Sequence, residues 1–154
     1  MDLIIMDLIE NMQIKKIHTL EKIIVHKLNQ QGWDLKWTGG KYEHYDAKGF
    51  TKKKKKCVIE IKFRKDYYIE KLLEKYKYEK LIELNDDIIK IYLVCDPKAT
   101  YYFWLDNINV SEVKNINCPQ TTLWNTKTIS KEVYLLDEKL ATYINKDLNF
   151  NNLI

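Results

Sequence analysis

The chain has 154 residues, 26 of them basic and 22 acidic, for a formal net charge of +4. A hydrophobic content of 45% with 12% aromatics excludes a disordered or fibrous chain, and the length suffices for one domain with a real core. The charge is concentrated: residues 41–65 hold ten basic side chains against three acids (Glu43, Asp46 and Glu60), a local +7, while the rest of the chain nets −3.

Residues 10–31 read as a helix in which Ile14, Ile17, Ile24 and Leu28 form one apolar stripe. Glu21 interrupts that stripe, and Gly32 stands where a C-terminal cap is expected. Three strand-like runs follow, at 33–38, 42–50 and 57–64. The turn signal Gly39-Gly40 separates the first two, and a lysine-rich hairpin at 51–56 separates the last two. Asp66 is placed to cap a second helix reaching about Leu84, with Ile69, Leu72, Leu73, Tyr76 and Leu81 as its buried face. Residues 88–95 are almost wholly apolar and β-branched, as in a central buried strand. Asp96-Pro97 then turns the chain into a strand at 101–105. Beyond it, Leu123-Trp124 and 132–136 suggest a last strand pair and 137–144 a short helix, while the Asn-rich tail 145–154 shows no period. The predicted order is α-β-β-β-α-β with a C-terminal β/α extension. This is an α/β (α+β) chain with a mixed central sheet flanked by helices. With no repeat or linker it reads as one domain, with a core at about 10–105 and an extension at about 106–154.

Three cysteines (Cys57, Cys95 and Cys118) supply neither an even disulfide set nor paired zinc spacing, which favours a reducing compartment. No secretory leader pattern and no run of 18 apolar residues occurs, so the expected location is intracellular and cytoplasmic, with no membrane partner. The four glycines make no phosphate loop. Ser111 and Ser130 lack a nucleophile context, and His18 and His26 lack zinc-ligand spacing.

The third strand carries the chemistry. Alternation puts Cys57, Ile59, Ile61 and Phe63 on one face and Val58, Glu60, Lys62 and Arg64 on the other. In the preceding run Asp46 would share a face with His44 and Lys48. Across the hairpin Asp46 and Glu60 could converge, and two hard oxygen donors without His or Cys suit Mg²⁺. Lys62 would stand beside that ion, placed to offset developing charge or orient water.

The pattern Tyr45-Asp46, with Glu60-Ile61-Lys62 fourteen positions after Asp46, resembles the PD-(D/E)XK, or restriction-endonuclease-like, nuclease superfamily. Its αβββαβ core is similar to the predicted order over about two thirds of the chain, and Tyr45 stands where the family has Pro. The resemblance implies a metal-dependent endonuclease that hydrolyses DNA phosphodiester bonds, with Mg²⁺ or Mn²⁺ as cofactor. Asp46 and Glu60 would bind the metal, the Ile61 carbonyl would complete its shell, and Lys62 would assist the attacking water. Glu21 would join the catalytic set from the first helix, and Lys77 matches a basic position on the following helix. Small stand-alone members resemble phage, viral or mobile-element endonucleases and junction resolvases, and a minimal domain often makes its second cut as a homodimer. Lys48, Lys52, Lys53, Lys54, Lys55, Lys56, Arg64 and Lys77 are the candidate nucleic-acid contacts, and His44, beside Asp46, would tune the site or contact substrate.

Plainer readings stand beside these. Glu60 and Lys62 could be a solvated pair, Asp46 a surface carboxylate and His44 a structural histidine. The lysine run could be a solvated turn or a nuclear-localisation signal. Tyr67, Tyr68, Tyr76 and Tyr78 suit helix packing better than base stacking. The rival function is a non-catalytic nucleic-acid-binding or interaction module on the same fold, and phosphate contacts alone do not separate DNA from RNA.

Overall fold

The computed structural model describes residues 3–39, 43–119 and 128–153. Helix α1 spans Leu3–Gln30, starting seven residues earlier than the stripe predicts. Its second half makes the core contacts: Leu20, Ile24, Val25 and Leu28 are buried. Ile14 is instead 39% exposed, so the stripe leaves the core one turn sooner than its period suggests. Gly32 ends the helix at φ +103. Its N–H donates to the Asn29 carbonyl and the Trp33 N–H to the Leu28 carbonyl, the paired bonds of a Schellman cap.

Strands β1 (Asp34–Trp37), β2 (Ala47–Phe50) and β3 (Lys56–Phe63) follow. The Gly39-Gly40 turn is not a two-residue hairpin: Trp37 pairs with Ala47, leaving residues 38–46 as a longer connection, of which Gly40 lies outside the described residues. Residues 41 and 42 also lie outside the described residues, and from 43 on the predicted run becomes a strand only at Ala47. A Cβ on Gly49, at φ +152, would lie 1.9 Å from the Asp34 carbonyl oxygen, so only glycine lets β1 lie this close to β2.

After β3 come β4 (Glu70–Glu74), helix α2 (Lys75–Ile82), β5 (Ile89–Cys95) and β6 (Thr100–Trp104). The predicted helix from Asp66 is therefore corrected. Its first half is a strand whose burial alternates, with Lys71 and Leu73 inside, while Ile69 and Tyr76, assigned to a buried face, are exposed. Local composition favours helix in Glu-Lys-Leu-Leu-Glu. The decisive partner is β8 (Thr128–Asp137), which pairs antiparallel with β4 from Glu70↔Asp137 to Glu74↔Val133. Strand β7 (Lys114–Pro119) pairs with the other edge of β8, and the predicted Leu123-Trp124 strand lies outside the described residues. The predicted helix at 137–144 is a single 3-10 turn, Glu138–Leu140, followed by strand β9 (Tyr143–Asn145).

The main sheet has the order β1-β2-β3-β5-β6-β9, and β4-β8-β7 form a second, three-stranded sheet. In the main sheet β3 and β5 run parallel and the other neighbours antiparallel. A parallel pair needs a crossover, which β4 and α2 supply. Both faces of β3 and β5 are consequently buried. Ile59, Ile61, Ile91 and Leu93 pack with α1, while Val58, Tyr92 and Val94 pack with Leu73 of β4, Leu81 of α2 and Leu136 of β8. The tail is not idle: Leu148 and Leu153 are buried in the α1 side of the core. The Thr100 hydroxyl donates to the Leu148 carbonyl at 2.7 Å, and the Phe150 N–H to the Asp96 carbonyl at 2.8 Å. Among the described residues no helix is long and apolar enough to cross a membrane, and Cys57, Cys95 and Cys118 are free thiols.

Candidate active site

Strand β2 begins at Ala47, opposite Ile59. The Asp46 N–H still donates to the Ile59 carbonyl at 2.9 Å. Past that point the edge of β3 has lost its partner, and an unpaired N–H there would be costly to bury. The Asp46 side chain turns back and Oδ2 accepts the Ile61 N–H at 2.8 Å. Asp46 is thus buried, whereas His44 and Lys48 are exposed. The expected common face of these three does not form, because the chain at 43–46 is bent rather than extended.

Glu60 projects from β3 and is 6% exposed. Glu21 arrives from α1, and the Trp37 indole N–H, at the end of β1, donates to its Oε1 at 2.9 Å. The acid that interrupts the apolar stripe is therefore held inward by a tryptophan. Burial, then the charges of Glu60 and Glu21, pushes the Asp46 carboxyl up to about 8. Burial and the Glu60 charge likewise push Glu21 up to about 7, against the lowering effect of the Trp37 bond. The Glu60 charge thus raises both Asp46 and Glu21, as expected where carboxylates gather in a buried centre.

One lysine reaches that centre, and a second lies near enough for its charge to act on Glu21. Lys77, on α2, donates from Nζ to Glu60 Oε1 at 2.8 Å. Burial works against its ammonium, but the Glu60 carboxylate outweighs burial and holds Lys77 above the ordinary lysine range. Lys62 points the same way as Glu60 from β3 and makes no hydrogen bond or ion pair with a described residue. Burial first, then the charges of Arg64 and Lys77, lowers it to about 8.

The other candidate contacts are dispersed. Lys52 to Lys56 are exposed on the β2–β3 turn, with Lys54 in the left-handed region at φ 63. That turn stands roughly 13 Å along the strand from Glu60, at the opposite end of β3. Lys48 pairs with Glu43 at 3.4 Å, and Arg64 Nη2 donates to the Leu72 carbonyl at 3.2 Å. The His44 ring stands edge-on to Tyr76, with 6.3 Å between centroids. Two features escaped sequence reasoning. The Trp37 donor could have been suspected from an indole ending the run at 33–38. The buried Lys71–Asp96 ion pair at 2.8 Å could not, because it depends on β4 being a strand.

Among the described residues no three His, Cys, Asp or Glu side chains are gathered closely enough to hold a metal ion by themselves. A smaller donor set would remain for a cation, the Asp46 and Glu60 carboxylates with backbone oxygen, all hard ligands. Mg²⁺ suits such a set because it keeps several waters and needs few protein ligands.

No family model matches the chain. No curated protein matches it either. Among solved structures it is similar to Hjc, a Holliday junction resolvase from the archaeal hyperthermophile Archaeoglobus fulgidus, with a TM-score of 0.53 over 79% of this chain and 84% of that one. The two chains share one fold. At 16% identity the likeness concerns architecture: the mixed sheet and flanking helices of the restriction-endonuclease-like class. The second sheet is built partly by β7 and β8, beyond the αβββαβ core.

Proposed function

We propose that this protein is a metal-dependent endonuclease of the PD-(D/E)XK superfamily that hydrolyses phosphodiester bonds in DNA, with branched or junction DNA as its substrate. The observation that carries the reading is that Asp46, Glu60 and Glu21 are all buried, with the Glu60 charge acting on the other two, on a fold shared with a junction resolvase. Asp46 and Glu60 would hold a divalent cation, Mg²⁺ or Mn²⁺. The Ile61 carbonyl would join them, since in strand geometry it leaves β3 on the same side as the N–H that Asp46 accepts. Such a cation lowers the pKa of bound water and stabilises charge on a phosphoryl oxygen.

The chain's own groups do the rest. A Lys62 that titrates near 8 gains and loses a proton close to neutral pH, which suits it to orient or deprotonate the attacking water. Glu21, fixed by Trp37, adds negative charge that strengthens cation binding. The exposed lysines of the β2–β3 turn are available to the phosphate backbone at a distance from the cut. Glu60→Ala or Asp46→Ala should reduce Mg²⁺-dependent cleavage by about 10³ or more while circular dichroism and DNA binding are retained. Undiminished activity in both variants overturns the site.

One observation favours the rival reading, a non-catalytic nucleic-acid-binding module: Lys77 already occupies Glu60 Oε1. Comparing duplex, branched, single-stranded DNA and RNA with and without Mg²⁺ separates the two. We also propose that two copies pair through the first half of α1, where Leu3, Ile4, Leu8 and Met12 are each more than half exposed. Antiparallel packing about Asn11 and Met12 would set Asp7 of one copy beside Lys15 and Lys16 of the other, so charge complements the apolar contact.

A further inference from the structure

A cleft of about 880 Å³ opens beside Lys62, where the end of β3 and the loop after it face the three-stranded sheet. Lys62 and Arg64 line one wall, Asn117 of β7 and Lys131 of β8 the other, and Tyr68 and Ile69 lie on the loop between. The two tyrosines of this loop differ. The Tyr67 hydroxyl donates to Glu138 Oε1 at 2.7 Å, and its ring carries the Lys98 ammonium at 3.6 Å, so that ring is committed. Tyr68 is 64% exposed, and its neighbour Ile69 is 59% exposed. The Tyr68 side chain has no ring or hydrogen-bond partner among the described residues. Neither residue lies on a helix, so the packing role that a helix would have given them is absent.

The charge of the lining selects among ligands. Lys71–Asp96 and Lys131–Glu74 close on themselves at 2.8 and 2.7 Å, and the remaining three basic and three acidic side chains balance. A groove that tracks phosphates carries excess cations; this one does not. Apolar and aromatic surface with balanced polar groups instead suits a planar, uncharged ring with a hydrogen-bonding edge, which is a nucleobase. The volume lies within the range of about 300–1,000 Å³ that accepts a drug-sized ligand, enough for a base and its sugar. Position agrees with this choice, since Lys62 is roughly 7 Å along β3 from Glu60.

We propose that this cleft receives an unpaired base from the strand that passes the carboxylate centre, with Tyr68 as its stacking platform. The inference rests on the nuclease reading for where the scissile phosphate lies. It deepens that reading by naming the substrate: DNA whose strands separate next to the cut, rather than continuous duplex.

The test measures binding by fluorescence anisotropy, with Ca²⁺ replacing Mg²⁺ to hold off cleavage. The probes are a forked DNA carrying 2-aminopurine at its first unpaired position and a duplex of matching sequence. The wild type should bind the fork more tightly and change the 2-aminopurine emission. Tyr68→Ala should weaken fork binding about tenfold, the loss of one aromatic–base stack, leave duplex binding within about twofold and abolish the emission change. Tyr68→Phe should keep both. Tyr68 is exposed, so the melting temperature should not move. Equal binding of fork and duplex, no fork binding, or a Tyr68→Ala variant that binds the fork as the wild type does overturns the proposal. Cleavage assays with Mg²⁺ separate the two readings: a Tyr68-dependent preference without any cleavage removes the nuclease reading alone. Duplex and fork cleavage that depend on Glu60 but not on Tyr68 remove the cleft alone.

Discussion

Asp46 serves two purposes that conflict in the absence of a cation. It replaces a missing strand partner by accepting the Ile61 N–H, and it does so buried beside two other acids. Its folded-state pKa, about 8, stands above the ordinary aspartate value of 3.8. Protonation therefore contributes stability that is complete below about pH 4 and lost as pH rises through about 8. Glu21 adds to the same trend over a narrower range, up to about 7. Lys62 acts in the opposite sense: lowered to about 8 from 10.5, it contributes stability above its unfolded value that is lost as pH falls through 8. Asp46→Asn keeps an acceptor for Ile61 and removes the charge. In metal-free protein it should stabilise the fold by on the order of 1–3 kcal/mol at pH 8–9. Melting curves from pH 4 to 9 check this: the advantage should shrink toward pH 4, and a gain independent of pH would contradict the electrostatic cause.

At the scale of elements, α1 divides into a half that builds the core and a half that does not. Leu20, Ile24 and Leu28 are buried, whereas Leu8 is 57% and Met12 70% exposed. If the free half pairs two copies, Leu8→Lys with Met12→Lys should convert a dimer to a monomer in sedimentation or light scattering, with little change in melting temperature measured at low concentration. A wild type that is monomeric at every concentration would refute the pairing. Periodicity made α1, β3 and β5 legible because their partners are faces, which a local pattern encodes. It failed at β4, where strong helix formers adopt a strand whose partner, β8, begins more than fifty residues later. The same failure shortened α2, exposed Tyr68 and hid the Lys71–Asp96 pair. At the site, the common face of Glu60 and Lys62 was readable from alternation, whereas Asp46 reaches Ile61 through a bend at 43–46 that alternation does not encode. Glu21 was readable as an acid in an apolar stripe. The position of Lys77 against Glu60 was not, because it depends on where α2 begins.

For the whole molecule, the sheet is closed from its far edge by the chain's end. β9 pairs with β6, and Leu148 and Leu153 fill the α1 side of the core while Phe150 stands 6.4 Å from Phe63. Removing residues 146–154 should therefore cost about 4 kcal/mol or more, from two buried leucines and the cavity they leave. Thermal melts of the truncated chain check this, and an unchanged midpoint would show that the tail only decorates the fold. The β4–α2 crossover that makes β3 and β5 parallel also carries Lys77 to Glu60 at 2.8 Å. An ammonium tethered to the backbone acts as a resident competitor, present at constant local concentration whatever the solution contains. Any ion that takes Glu60 Oε1 must evict it, and the evicted charge needs a new anion, for which Glu74 and an arriving phosphate would compete. On the proposed nuclease reading, cation loading and substrate arrival would then be linked through a single side chain.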